Sequence, residues 1–328
     1  MRSEVLIQSV IPTYARAPLT FVKGEGSWLI DENSEKYLDM GAGIAVNVLG
    51  HAHPDLVQVL QKQAENLWHT SNLYNVSNQK KLADVLVEET FAQTVFFTNS
   101  GTESMECAIK MARKFHYEKG MPERTKIITF EGSFHGRSIG MISAAGSEKL
   151  TKGFGPLLPG FVQIPFGDHE ALIAEIDETI AAIVIEPIQG EGGILPVPDQ
   201  CLKGLRDCCD ENGILLIFDE IQCGMGRTGK LFAHEWAGVE PDIMAIAKGI
   251  GGGFPLGACL ATSNAAECMT AGTHGSTYGG NPLATAVGLE VMRHVNTPAF
   301  LNNVNFLASN FRQSLEALVA NHPTIFKS

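Results

Sequence analysis

Short apolar runs alternate along this chain with longer stretches in which apolar residues recur every three or four positions. "TVFFTNS" (94–100) is apolar and ends in polar residues, which predicts a short strand. "ESMECAIKMARKFH" (103–116) sets Met105, Ala108, Ile109 and Ala112 on one face, which predicts a helix. "KIITF" (126–130), "AAIVIEP" (181–187), "ILLIFDE" (214–220), "DIMAIAK" (242–248) and "GACLAT" (257–262) predict further strands, with "QCLKGLRDCCDENG" as a helix among them. Apolar strands alternating with helices predict an α/β fold. Its central, mainly parallel sheet is flanked by helices on both faces. In such sheets ligands sit beyond the carboxyl ends of the strands. The weight therefore falls on Ser100 to Thr102, Glu186 to Glu191, Asp219 to Gln222, and Lys248.

The two ends read differently. "FVKGEGSWLIDENSEKYLDM" predicts a hairpin with "DENSEK" as its polar turn, and residues 1–45 are assigned to a smaller α+β domain. Residues 46–285 form the large domain. "LATAVGLEVMRHV" and "FLNNVNFLASNFRQSLEALVAN" predict two helices near the end, and residues 286–328 are assigned to the start of a C-terminal part of the small domain. The chain stops at "HPTIFKS", just after opening a new turn, so that part is expected to be incomplete. No fixed-period repeat stands out.

Composition narrows the classes. Apolar residues make up 45% of the 328, enough for a large core, and 34 glycines come in short runs that suit tight turns. The net charge of −12, with no Lys/Arg-rich run, gives no electrostatic footprint for nucleic acid. No apolar stretch approaches the roughly 18 residues of a membrane span. The seven cysteines show no C-x-x-C spacing, which predicts reduced thiols in a cytoplasmic protein.

Three strand ends carry candidate chemistry. "TNSGTE" (98–103) leads a strand into a helix through Ser100, Gly101 and Thr102. That is either an ordinary N-cap or a nest of free N–H groups for a phosphate. Asp219, at the end of a buried run, is either a structural cap or the partner of a protonated ring nitrogen, because a buried carboxylate needs one. Lys248, followed at once by glycines, is either a solvated cation or a buried amine able to form a Schiff base. Together an anion nest, an acid and an amine are the handles that pyridoxal phosphate requires. Two other signals are weaker. "HAHP" (His51, His53) has no nearby cysteine or carboxylate cluster, so no metal is assigned. "GMGRTGKL" (224–231) nearly spells a P-loop, but Leu231 stands where a Ser or Thr is needed and Glu220 to Cys223 separate it from its strand. It reads as the turn after Asp219.

The ordered motifs "PTYARAPLTFVKGEG", "GIAVNVLGHAHP", "LWHTSNLY", "FFTNSGTES", "SFHGRSIG", "EPIQGEGG", "IFDEIQCGMGRTGKLFAHE", "DIMAIAKGIGGGFPLGA" and "HGSTYGGNPLA" resemble the class III, fold-type I aminotransferases, from about residue 10 onward. "YARAP" and "LWHTSNLY" point to the acetylornithine group within that class. The resemblance implies a pyridoxal-5'-phosphate enzyme that transfers the δ-amine of N-acetylornithine to 2-oxoglutarate. Enzymes acting on ornithine, succinylornithine, succinyldiaminopimelate or 4-aminobutyrate are the alternatives, with an inactive chain that only dimerises. It implies that Lys248 carries the cofactor and shuttles a proton, and that Asp219 holds the ring nitrogen protonated. Ser100, Gly101 and Thr102 would bind the phosphate, Phe134 would stack on the ring, and Gln222 would lie by its hydroxyl. Thr277 would reach the phosphate of the partner subunit in a homodimer with shared sites. Tyr14 and Arg137 would hold the substrate α-carboxylate, and Glu191 would act as a switch between the two substrates, paired with an arginine beyond residue 328.

Overall fold

The computed structural model describes residues 9–322. A small antiparallel sheet opens the described chain: β1 (Phe21–Glu25), β2 (Trp28–Asp31) and β3 (Lys36–Leu38), in that order. The expected hairpin around "DENSEK" is the β2–β3 pair. A second hairpin precedes it, turned at Gly26 and Ser27, because Phe21 to Glu25 also pairs back onto β2. A lone bridge between Gly26 and His51 ties this sheet to the segment that follows β3.

The main sheet holds β4 (Thr94–Thr98), β5 (Lys126–Phe130), β6 (Phe161–Ile164), β7 (Ile180–Ile185), β10 (Leu215–Asp219), β11 (Ile243–Ile246) and β12 (Gly257–Ala261). A two-stranded ribbon, β8 (Ile188–Gln189) and β9 (Leu195–Pro196), stands apart. The main order is β4-β12-β11-β10-β7-β5-β6. The pairs from β11 across to β6 are parallel, and β12 runs antiparallel to both of its neighbours. The apolar run of β12 suggests one more parallel strand. The reason for its reversal is the connection, since Ala247 to Leu256 is too short for the crossover that a parallel return needs. Across the sheet, Ala258 of β12 stands opposite both Ile246 of β11 and Phe97 of β4, while Ala245 stands opposite Asp219.

Helices cover the sheet. They include α1 (Pro54–Ala64), α2 (Ser77–Glu88), α3 (Gly101–Glu118), α4 (Ile139–Ala145), α5 (His169–Glu175), α6 (Asp199–Asn212), α7 (Pro282–Val295) and α8 (Pro298–Asn321). Two apolar layers result. One holds Phe218, Leu216, Ile246, Leu82 and Val291, the other Met105, Ala108, Ala112, Ile217 and Ala245. The face of α3 foreseen in the sequence, Met105, Ala108, Ile109 and Ala112, is buried in the second. Helix α7 runs unbroken across the expected boundary at 285/286 and buries Val287, Val291 and Val295 in the first. Helix α8 buries no residue and shows Phe306, Leu307, Phe311, Leu315 and Leu318 to solvent. The closing residues after His322 lie outside the described part.

Candidate active site

Four segments converge at the carboxyl end of the sheet. Strand β10 ends on Asp219, which is buried because both flanking strands and the turn after it cover it. Its Oδ1 accepts from the Ile221 N–H at 3.1 Å, and its Oδ2 lies 2.7 Å from His135 Nδ1. His135 is fully enclosed, and its Nε2 is buried with no hydrogen-bond partner. Burial alone would push this imidazole down. The hydrogen bond and charge of Asp219, with the charge of Glu186, outweigh that and raise it above its ordinary value.

Strand β7 ends just before Glu186, whose carboxyl joins two loops. Oε2 accepts from the Phe134 N–H at 3.1 Å and Oε1 from the Gly190 N–H at 3.3 Å. Burial, helped by the charge of Asp219, pushes this carboxyl up to about 7. Strand β11 leads to Lys248, which takes a positive φ of 48° at the start of a 3-10 turn, Lys248–Gly251. A lysine in the left-handed region is uncommon and marks a position that the surroundings must enforce. Burial holds its amine below the ordinary range against the opposing pull of Asp219, Glu191 and Glu186.

Strand β4 leads through Ser100 into α3. Ser100 Oγ accepts from the Glu103 N–H at 3.3 Å, and Glu103 Oε2 accepts from the Asn99 N–H at 2.7 Å. Ser100 is therefore a working N-cap. The N–H groups of Gly101 and Thr102 keep no partner within the helix, as at any helix start, so the cap leaves them open to a ligand. A Cβ at 101 would lie 2.7 Å from Ile221 Cδ1, so any side chain there would have to push Ile221 aside. Ser104, one turn on, bonds back to the Ile246 carbonyl at 3.1 Å, so the helix start is fastened to the strand that carries Lys248.

These groups line one cavity of about 380 Å³. Its walls include Ser100, Gly101, Thr102, Phe134, Gln222, Asp219, Lys248 and Glu191, as the sequence suggests, together with Glu186 and His135. Tyr14, Arg137 and Thr277 are not part of that lining. Tyr14 is 74% exposed with Arg16 over its ring, which fits no enclosed contact in this chain. The Arg137 guanidinium lies over the ring of Phe134, a lining residue, 5.6 Å from its centroid. Thr277 is exposed beside Ser276, which accepts from Asn99. Glu186 carried a sequence signal as a strand-end acid. His135 carried little, since a histidine inside "SFHG" does not announce that it meets a carboxylate from another strand. The near-P-loop residues Gly224 to Leu231 form a turn over the core, where Leu231 is buried, and none of them lines the cavity.

The donor set fits pyridoxal phosphate. An N-terminal nest suits a phosphate, a buried carboxylate suits a protonated ring nitrogen, and a desolvated amine suits a carbonyl. The volume lies within the usual range for small-molecule pockets, about 300–1,000 Å³.

An α/β sheet with an amine, an acid and an anion nest at its strand ends is the architecture of a group-transfer enzyme that works through a carbonyl cofactor. Residues 11–327 match the model of the class-III aminotransferases, and the chain belongs to that family. The acetylornithine aminotransferase of Rhodobacter capsulatus is 64% identical over 322 residues, 98% of this chain and 82% of that protein. Among solved structures, the ornithine aminotransferase of Toxoplasma gondii, described with partial occupancy of PLP at its active site, superposes with a TM-score of 0.90 at 34% identity. It covers 94% of this chain and 74% of its own. The N-acetylornithine aminotransferase of Stenotrophomonas maltophilia gives 0.81 at 40% identity, over 94% of this chain and 77% of its own.

Proposed function

We propose that this aminotransferase moves the δ-amino group of N2-acetylornithine to 2-oxoglutarate, giving N-acetylglutamate 5-semialdehyde and glutamate. The observation that carries the reading is Lys248, a half-buried amine in a left-handed conformation inside the cavity that holds Asp219 and the start of α3. The high identity to an acetylornithine aminotransferase supports the donor.

Bound pyridoxal phosphate supplies an electron sink for the carbon that loses its proton. The chain's own groups do the rest. Lys248 Nζ, held below its ordinary range by burial, would bond the cofactor's carbonyl carbon and carry a proton between the substrate carbon and the cofactor carbon on either side of the shared nitrogen. Asp219 would hold a positive ring nitrogen, with His135 steadying its Oδ2. The Gly101 and Thr102 N–H groups and the α3 dipole would hold the phosphate. Phe134 would stack on the ring, and Gln222 would lie near its hydroxyl. Glu191, exposed at the rim, suits a residue that moves between substrates, and Arg137 and Tyr14 are assigned to the donor's α-carboxylate. The unpaired state of all seven cysteines supports a cytoplasmic protein.

A donor panel with 2-oxoglutarate as acceptor tests the reading. N2-acetylornithine should give the highest kcat/KM among it, ornithine, succinylornithine, succinyldiaminopimelate and 4-aminobutyrate. Another donor leading the panel would reassign the substrate. Lys248→Ala should lose both turnover and the visible absorbance of the lysine-linked cofactor, and a coloured, active variant would remove the proposed role of Lys248.

A further inference from the structure

The sequence pair His51 and His53 does not act as a unit in the fold. His51 Nε2 goes to Asp39 at 2.7 Å, whereas His53 faces a different histidine, His294. His53 precedes α1 at its N-cap position but makes no capping bond, and its Nδ1 is buried without a partner. His294 lies in the last turn of α7. The two rings meet edge to face with centroids 4.7 Å apart. One ligating atom from each of His53, Asp55 and His294 lies within 4.8 Å of the others.

The surroundings of His294 Nε2 conflict. Asp55 Oδ2 is 2.9 Å away, Glu290 Oε1 3.3 Å and Arg293 Nη2 3.0 Å. A protonated Nε2 can donate to Asp55 but then faces a donor on Arg293. A bare Nε2 can accept from Arg293 but then aims its lone pair at a carboxylate oxygen. Neither tautomer satisfies all three contacts. A single cation in the middle satisfies the bare Nε2 and both carboxylates, and Arg293 Nη2 now stands near that place, 3.0 Å from Asp55 Oδ2 and also touching Glu290, so an ion would have to displace it. The Arg293 side chain is 60% exposed and has solvent to move into.

We propose that His53, Asp55 and His294, with Glu290 at their edge, bind a late first-row divalent metal ion of the zinc class, in competition with the Arg293 side chain. Two imidazoles with a carboxylate are the donors such an ion prefers, unlike the all-oxygen sets of magnesium or calcium. Ligand separations of 2.9 and 3.3 Å approach those around a tetrahedral ion with bonds of about 2.0–2.2 Å. The ion would fasten the start of α1 to the end of α7. None of the four residues lines the cavity described above, so the site stands apart from the transamination chemistry.

The test uses the cofactor-loaded protein, freed of metal by a chelator and titrated with Zn²⁺ against a chromophoric competitor. One equivalent should bind. Affinity should fall at least about tenfold in His53→Ala and His294→Ala, since losing even an outer partner of a metal site costs that much. It should rise in Arg293→Ala, where the competing cation is gone. His294→Gln, which keeps a hydrogen-bonding side chain, guards against a folding artefact. Binding should weaken as pH falls, because protons compete with the ion for its ligand atoms. Zn²⁺ should raise the thermal midpoint of the unaltered protein and not that of His294→Gln, and transamination without metal should be unchanged in every variant. No stoichiometric binding, affinity unchanged in both histidine variants, no gain in Arg293→Ala, or a Co²⁺ spectrum with thiolate charge transfer would each overturn the proposal.

Discussion

Glu186 shows how one side chain can set the state of its surroundings. It is buried beside Asp219 and His135 and caps the N–H groups of Phe134 and Gly190. Its carboxyl is raised from 4.5 to about 7, so the fold favours the neutral form. Stability from this group is present in full below its ordinary value and is lost as pH rises through about 7, a loss on the order of 3 kcal/mol. Glu186→Gln stays neutral throughout. Its thermal midpoint relative to the unaltered protein should therefore climb between pH 5 and pH 8.5, and a difference flat with pH would dismiss this account. At this scale the sequence showed what ends a strand. Asp219 and Lys248 were legible because an apolar run stops on each. His135 was hidden because its partner lies 84 positions away and only the assembled sheet joins them. The metal cluster was hidden for the same reason, with Asp55 and His294 239 residues apart.

Among elements, α3 does two jobs at one end. Its cap, Ser100, fixes the first turn, and that turn presents the nest. Ser100→Ala should destabilise the protein by about 1 kcal/mol, measured by denaturant unfolding of the cofactor-free protein. Gly101→Ala should act otherwise, by driving Ile221 aside and weakening cofactor binding more than folding. Equal losses from the two variants would argue against a nest at residue 101. Strands and helices were legible here because their periods differ plainly, and their observed limits fall within a few residues of the apolar runs. The direction of β12 was not, because buried parallel and antiparallel strands share the same apolar pattern and only the length of the linking loop separates them. The extra hairpin of β1 and β2 escaped for a related reason: its turn is only two residues, hidden between two short strands.

At the scale of the molecule, Thr277 lies outside its own chain's cavity, which supports its assignment to a partner's phosphate. Mixing Lys248→Ala with Thr277→Ala protein under subunit exchange tests this. A shared site predicts recovery, because one site of the mixed dimer would then carry both intact residues. If Thr277 served its own chain, no combination would recover. The ladder of the main sheet has a wider meaning. Ile246, Ala258 and Phe97 share one rung, and Asp219 sits level with Ala245, so amine, acid and nest are spaced by strand pairing. Such spacing changes only in whole residues. A one-residue slip of β10 would turn Asp219 to the opposite face of the sheet, so a slipped copy should bind no cofactor at all.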